Sequence, residues 1–225
     1  MKERLDEQTI ALRAAKELQD GWYVNLGFGM PTLVSNFVPE GRTIFFQAEN
    51  GLLGYGPIAT VEEANEMGWR YANASAQPVL PAPGMAIFDY GDAFDMIRGG
   101  HLDLVILGGL QVSERGDLAN WRIPTYTGKG GTIGGAMDLA ACTKRVLVTM
   151  THTEKDGKPK IVTKCTYALT AKQCVSLIIT DLAVVEVTDS GLVLKERAPG
   201  WTVAEIQALT EPKLIVADDL KDIEL

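Results

Sequence analysis

A glutamate at the end of an apolar strand is the residue in this chain best placed to do chemistry. In FFQAENGLLGYGP, residues 45–57, Glu49 follows two phenylalanines and stands before Asn50 and Gly51, a dipeptide that signals a tight turn. A carboxylate in that position is partly desolvated, and keeping it charged is costly. The bland reading is a solvated turn residue. Three features favour a reactive one. Glu49 closes an apolar run, strand ends in α/β folds are where ligand crevices form, and the glycines behind it allow close approach of backbone and ligand. A partly buried carboxylate with few neighbours can act as a nucleophile or a general base.

Two glycine turns could assist it. NLGFGMPT (25–32) carries Gly27 and Gly29 but not the full dinucleotide fingerprint, and GKGGTIGGAMD (128–138) has Gly-Lys without the Ser or Thr of a phosphate loop. Taken singly, such turns are more often structural. Gly134, Gly135 and Ala136 at the start of a helix are more informative, because backbone amides there can hold an oxyanion. His101 and His152 are the only histidines and read as structural, which disfavours a Ser-His-Asp hydrolase; Ser113 sits in no nucleophile elbow. Trp121 reads as core, and Arg98, Lys129 and Lys144 as surface charges.

The elements that must position these groups alternate. Residues 4–19 have the spacing of an amphipathic helix that stops near Gly21. A strand from 23 breaks into the first glycine turn, and Pro31 opens a helix through LVSNFV. TIFFQAE (43–49) is the next strand. Residues 57–82, with three prolines, the acidic run VEEANEM, Trp69 and Tyr71, read as a long loop or flap; the two aromatics are expected to face the ligand pocket. MAIFDY (85–90) predicts a strand, Asp92 a cap for AFDMIR, and LDLVILGG (102–109) and RVLVTM (145–150) buried parallel strands around a helix over 134–144. After 151 the texture is β-rich, with KIVTKCTY, SLIITDLAVVEVT and GLVLKERA, a turn at 189–191, and a capping box, TVAE, opening a final helix. The expected fold class is α/β, a mostly parallel sheet flanked by helices with an antiparallel β section towards the C-terminus. Residues 1–225 are expected to form a single domain with the 57–82 excursion as its lid.

Composition narrows the function classes. A net charge of −8 argues against a nucleic-acid or anionic-lipid footprint. Cys142, Cys165 and Cys174 make neither a disulfide framework nor a zinc pattern, so no metal is expected, and reduced thiols suit a cytoplasmic protein. The charged N-terminus is not a signal peptide, and no apolar run reaches the length of a membrane span, so no membrane partner is expected.

NLGFGMPT, QAENGLLGYGP, MIRGGHLDLVILG, QVSERGDLANW, GGAMDLA and ITDLAVVEVT occur in one order. Together, from about residue 5 to 210, they resemble the B (β) subunit of the family I 3-oxoacid CoA-transferases. The resemblance implies that Glu49 is the catalytic glutamate, within the family's Ser-Glu-Asn-Gly motif. It attacks an acyl-CoA thioester, passes through a mixed anhydride to a glutamyl-CoA thioester, and hands CoA to an acceptor 3-oxoacid or short carboxylic acid by a ping-pong route. Coenzyme A is then a substrate, and no permanently bound cofactor is implied. Asn25 and the backbone amides of Gly135 and Ala136 match oxyanion and substrate-binding positions; Gly27, Gly29, Asn50 and Gly51 match the motifs that support them. The implied partner is a separate CoA-transferase A (α) subunit, in an α2β2 heterotetramer with the active site at the interface between the two kinds of subunit.

Departures from the family pattern lie around the acyl group. Ala48 stands where the family has Ser, and ANASA (72–76) lacks the family's lysine. They leave open which 3-oxoacid is used. They also leave open an acyl-CoA hydrolase on the same scaffold, or a non-catalytic acyl-CoA-binding subunit. A phosphosugar isomerase is more remote, because its base and phosphate-binding groups are not found together.

Overall fold

The computed structural model describes residues 2–123 and 132–224. Helix α1 (Glu7–Ala15) starts where the Asp6 carboxylate accepts the Thr9 amide at 2.8 Å, and it buries Ile10, Ala11 and Ala14. Strand β1 (Tyr23–Leu26) leads into a 3-10 helix (Met30–Phe37) with Pro31 in its first turn. Strand β2 (Phe45–Ala48) turns back into β3 (Leu52–Ile58). Next come α2 (Val61–Glu66), β4 (Val79–Ile87), α3 (Tyr90–Arg98) and β5 (Leu104–Gly108). The short β6 (Gln111–Ser113) and β7 (Leu118–Ala119) precede α4 (Ala136–Cys142), β8 (Val146–Met150) and β9 (Ile161–Val162). The chain closes with β10 (Val175–Thr180), β11 (Ala183–Thr188), β12 (Gly191–Arg197), α5 (Val203–Ala208) and β13 (Leu214–Asp222).

Ten strands form one sheet in the order β13-β12-β11-β10-β8-β5-β1-β2-β3-β4. Its centre, β10 through β2, is parallel. Strands β11 and β12 add an antiparallel section from the C-terminal half, and the hairpin β2–β3 with β4 adds a second one on the other flank. A small sheet of β7, β6 and β9 packs separately.

Side-chain alternation divides the central strands between two cores. Val24, Leu26, Phe46, Ala48, Leu104 and Ile106 pack with Ile10 and Ala14 of α1 and Val34 of the 3-10 helix. Val105, Leu107, Val146 and Val148 pack on the opposite face with Phe94 of α3, Leu139 of α4 and Ile206 of α5. On that second face, two central positions that should be apolar hold Asn25 and Gln47 instead, both fully buried.

Several boundaries differ from the sequence reading. Strand β4 begins at Val79 rather than 85, because an edge strand tolerates the prolines that read as a loop. The 57–82 stretch holds α2, whose acidic run is a first helical turn with a Thr60–Glu63 capping box. Helix α3 is capped by Asp89, which accepts the Asp92 amide at 2.9 Å, so Asp92 lies inside the helix. KIVTKCTY supplies only the two residues of β9, and the final helix is followed by β13, an exposed edge strand without readable alternation.

Candidate active site

The turn between β2 and β3 sets the position of Glu49. Gly51 has φ +100°, and a Cβ on it would lie 2.1 Å from the Phe88 carbonyl oxygen, so both conformation and space demand glycine. Its N–H donates to Ala48 O, and its own carbonyl accepts from the Phe88 N–H, each at 3.0 Å. The turn is thereby pinned to the chain that enters α3. Asn50 ties the other side, donating from Nδ2 to Ala72 O at 2.7 Å. The first glycine turn lies across the β1–β5 boundary. Gly27 N–H donates to Ile106 O at 2.8 Å, and a Cβ there would be 3.0 Å from Leu107 Cδ2. Gly29 caps the 3-10 helix and donates its N–H to Ser75 Oγ at 3.2 Å.

Glu49 therefore sits beyond the C-terminal end of β2, partly buried. Its Oε1 lies 2.9 Å from where a Cβ on residue 135 would stand, and the Phe94 ring is 3.0 Å from the same point. The φ of Gly135 is an ordinary −80°, so what glycine provides here is room for the carboxylate. Glu49 Oε2 is buried with no hydrogen-bond partner among the described residues, as is Asn25 Oδ1. Burial pushes the Glu49 pKa above the usual carboxylate range; its own backbone amide and the nearby Asn25 side chain pull less strongly the other way.

The expected site residues come together, but their hydrogens are not all free. Asn25 Nδ2 donates to Gln47 O at 3.1 Å and to Gln47 Oε1 at 2.7 Å, and Gln47 Nε2 donates to Ala93 O at 3.1 Å. Both Asn25 hydrogens are thus committed, and its pull on Glu49 is a dipolar contact rather than a well-formed hydrogen bond. The Ala136 N–H meets Ile133 O at 3.2 Å.

A cavity of about 610 Å³ opens over the carboxyl group, lined among others by Gly27, Phe28, Trp121, Ile133, Gly135 and Ala136. Glu49 is the only ionisable side chain among its described lining residues. Trp121, which reads as core in the sequence, lines this cavity while its Nε1 donates to Leu169 O at 3.3 Å. Trp69 and Tyr71 do not line it. The Trp69 indole donates to Asn65 at 2.9 Å and Tyr71 packs against the apolar core, so the 57–82 stretch contributes Ala74 instead. Lys129 lies outside the described residues. A larger hollow of about 1080 Å³ is bordered by Glu114, Arg115, Asp189 and Lys213. Among the described residues none of the unpartnered buried polar atoms belongs to its lining, whereas Glu49 lines the smaller cavity. Gln47 is the site residue that sequence reasoning missed; its only signal was a polar side chain in an apolar strand. Among the described residues no group of three or more His, Cys, Asp or Glu could hold a metal ion, and no helix is long and apolar enough to cross a membrane.

The family model and the curated relatives agree on one family. The family model described as Coenzyme A transferase matches residues 7–209. The chain is 45% identical over 214 residues to the acetate CoA-transferase subunit beta of Escherichia coli K12, covering 95% of each. It is 43% identical over 218 residues to the B-type subunit of the 3-oxoadipate CoA-transferase of Acinetobacter baylyi, covering 95% of this chain and 97% of the relative. A mouse mitochondrial succinyl-CoA:3-ketoacid coenzyme A transferase 2B is 48% identical over 217 residues, but the chain spans only 41% of its length. In fold, the chain matches a crystal structure of an acyl-CoA transferase from Escherichia coli O157:H7 with a TM-score of 0.72 at 22% identity, over 99% of this chain and 45% of that one.

Proposed function

The chain belongs to the coenzyme A transferase family, and from that premise we propose that it is the B-type half of a two-part enzyme that moves CoA from an acyl-CoA to a 3-oxoacid or short carboxylic acid. The observation that carries the reading is the Glu49 carboxyl group, set at the cavity with one oxygen against the Gly135 backbone and the other buried and unpartnered among the described residues.

Such a carboxylate lacks the hydration that would blunt its attack on a thioester carbonyl. Attack by Glu49 forms a tetrahedral intermediate, which collapses to an acyl-glutamyl anhydride and releases CoA thiolate. The thiolate then attacks the glutamyl carbonyl, giving a glutamyl-CoA thioester and freeing the donor carboxylate. An acceptor carboxylate attacks that thioester, forms the second anhydride and again frees the thiolate, which takes the acyl group and regenerates Glu49. The oxyanion needs preorganised donors, and the Gly135 backbone at the start of α4 lies beside Glu49 Oε1. Asn25 can take that part only by releasing a hydrogen from Gln47. Water exclusion protects the anhydride. The 57–82 excursion serves as cover, a reading supported by its ties to both turns through Asn50–Ala72 and Gly29–Ser75 and by Ala74 in the cavity wall.

The subunit names of the relatives support a separate A (α) subunit as partner. We read the assembly as α2β2 and CoA as substrate rather than resident cofactor, and place the protein in the cytoplasm on the three cysteines that form no disulfide framework. Mass spectrometry of peptides from the co-expressed pair, after brief incubation with acetoacetyl-CoA and acid quench, tests the mechanism. A CoA adduct on Glu49, absent in Glu49→Ala, is expected. No adduct with several acyl-CoAs would overturn it.

A further inference from the structure

The buried polar chain behind Glu49 has a fixed direction. Amide orientations are often ambiguous, but here two backbone carbonyls define them, since a carbonyl only accepts. Gln47 must turn its Nε2 to Ala93 O, at 3.1 Å, which leaves its Oε1 facing Asn25. Asn25 must turn its Nδ2 to Gln47 O, also at 3.1 Å, and its other hydrogen meets Gln47 Oε1 at 2.7 Å. Its oxygen is then left over, buried and unpartnered. Both side chains have 0% exposure, so no solvent competes for these bonds.

The geometry points to Gln47 as a positioning residue that withholds the Asn25 amide hydrogens from Glu49 and so keeps Glu49 Oε2 free of a donor. The inference rests on the reading of Glu49 as the acyl-accepting carboxylate. A hydrogen bond to a carboxylate stabilises the charged form and makes it less reactive. Asn25 pairs in register with Gln47, two residues before Glu49, and is close enough to influence its ionisation. An Asn25 amide free to rotate would supply that bond. Gln47 prevents this because α3 holds it in turn, through the carbonyl of Ala93, next to the Phe94 whose ring packs against Gly135. One helix thus sets both the withheld donor and the space around the carboxyl group.

The test reads the Glu49 carboxyl directly. The full chain is labelled with glutamate carrying carbon-13 in its side-chain carboxyl and titrated by NMR, and Glu49→Gln identifies the resonance. Tyr55 of β3 is the titratable neighbour that senses Glu49; burial, and then the Glu49 charge, push its phenol up, so it stays neutral throughout. The charges of the packed helices, Asp92, Asp95 and Arg98 on α3 and Asp138 on α4, are not fully buried, and Arg98 is paired with Asp138 at 2.9 Å. They are unchanged in the variants. In Gln47→Met the Glu49 midpoint falls towards the ordinary carboxylate value, and in an Asn25→Ala background the same substitution moves it no further. An unchanged midpoint, a rise, or equal shifts in both backgrounds overturns the inference. Should Gln47→Met fail to fold, Gln47→Asn asks the same question, being one methylene too short to span Ala93 and Asn25. The titration uses no CoA. A missing CoA adduct in the wild-type pair would sink the functional reading and leave the titration result standing, and the converse also holds.

Discussion

Glu49 and His152 lie just beyond the C-terminal ends of two strands of one sheet, β2 and β8, and both are titratable groups drawn away from water, Glu49 partly and His152 fully buried. Their hydrogen bonding differs. Every polar atom of His152 is engaged: the backbone N–H with Asp181 Oδ1 at 2.6 Å, Nδ1 with Thr180 Oγ1 at 2.8 Å and Nε2 with Thr210 Oγ1 at 2.9 Å. Since the Thr210 hydroxyl donates to Ile206 O at 2.8 Å, it must accept from Nε2–H; in the neutral ring Nδ1 is then an acceptor, at 2.8 Å from the Thr180 hydroxyl, whose single hydrogen it shares with Ala183 O at 3.2 Å. Glu49 has an oxygen with no such partner among the described residues. Burial alone therefore does not mark the reactive group. Burial with its hydrogen bonds complete pins β8, β10 and α5 together; burial with them incomplete leaves a side chain free to react.

Removing Glu49 breaks the comparison most severely. Glu49→Ala or Glu49→Gln is expected to lower transfer on the order of 10⁴-fold or more, the scale of losing a covalent nucleophile, measured as kcat/KM of the assembled pair. Stability should move the other way. The folded-state pKa of Glu49 is raised, so its contribution is fully present below the unfolded value near 4.5 and is lost as pH rises through the folded value. At neutral pH the ionised group is a liability, so Glu49→Gln should melt higher than wild type there, with the gain disappearing below pH 4.5.

His152 should show the opposite linkage. Burial holds its pKa down at about 4, against 6.5 in the unfolded chain. Between those values the unfolded state binds more protons, so stability falls as the solution is acidified, by about 3 kcal/mol over the window. Urea unfolding at several pH values checks this, and His152→Gln should flatten the profile below pH 6.5 with little change in transfer near neutrality. A wild-type profile flat across that window would mean that His152 is not held neutral, and the contrast with Glu49 would fail.

Gly135→Ala sharpens the contrast at the active site. The backbone there suits any residue, but the new methyl would meet Glu49 Oε1 at 2.9 Å and Phe94 at 3.0 Å. A carboxylate displaced by about 1 Å costs roughly 10²-fold in rate. Unchanged CD spectra with that loss in kcat would place the effect at the carboxyl group, whereas unfolding would place it in the packing of α4 on α3.

Much of this arrangement was legible in the sequence, for physical reasons. Buried parallel strands read clearly because both faces are apolar, as in 102–109 and 145–150. The Thr202–Glu205 capping box survived because both of its bonds are local. Glu49, Gly27 and Gly135 converge on the cavity because each follows a strand or starts a helix on the same side of the sheet, with Asn25 near the end of β1 behind them. The edges were hidden. In β4 the prolines Pro81 and Pro83 mimic a loop, and β13 has too little burial to show a period. Gln47 showed only as a polar side chain in an apolar strand, because its importance lies in who accepts its hydrogens, which no local pattern encodes.

Ala48 makes the smallest and sharpest test. The Ser that the family motif has here suggests a hydroxyl beside the nucleophile. The alternation of β2 argues otherwise: Ala48 points with Phe46 into the core under α1, while Gln47 points to the other face, towards α3. A serine at 48 would bury its hydroxyl among Leu26, Leu52 and Ile106. Ala48→Ser is then expected to cost about 1 kcal/mol, a drop in Tm of roughly 2–4 °C, while kcat/KM stays within a factor of about two. The reverse pattern, faster transfer at unchanged Tm, would mean that the hydroxyl reaches Glu49 around the strand. The unpartnered oxygen would then have had a donor within one substitution, and the distinction drawn between Glu49 and His152 would rest on Ala48 rather than on the turn that carries the carboxylate.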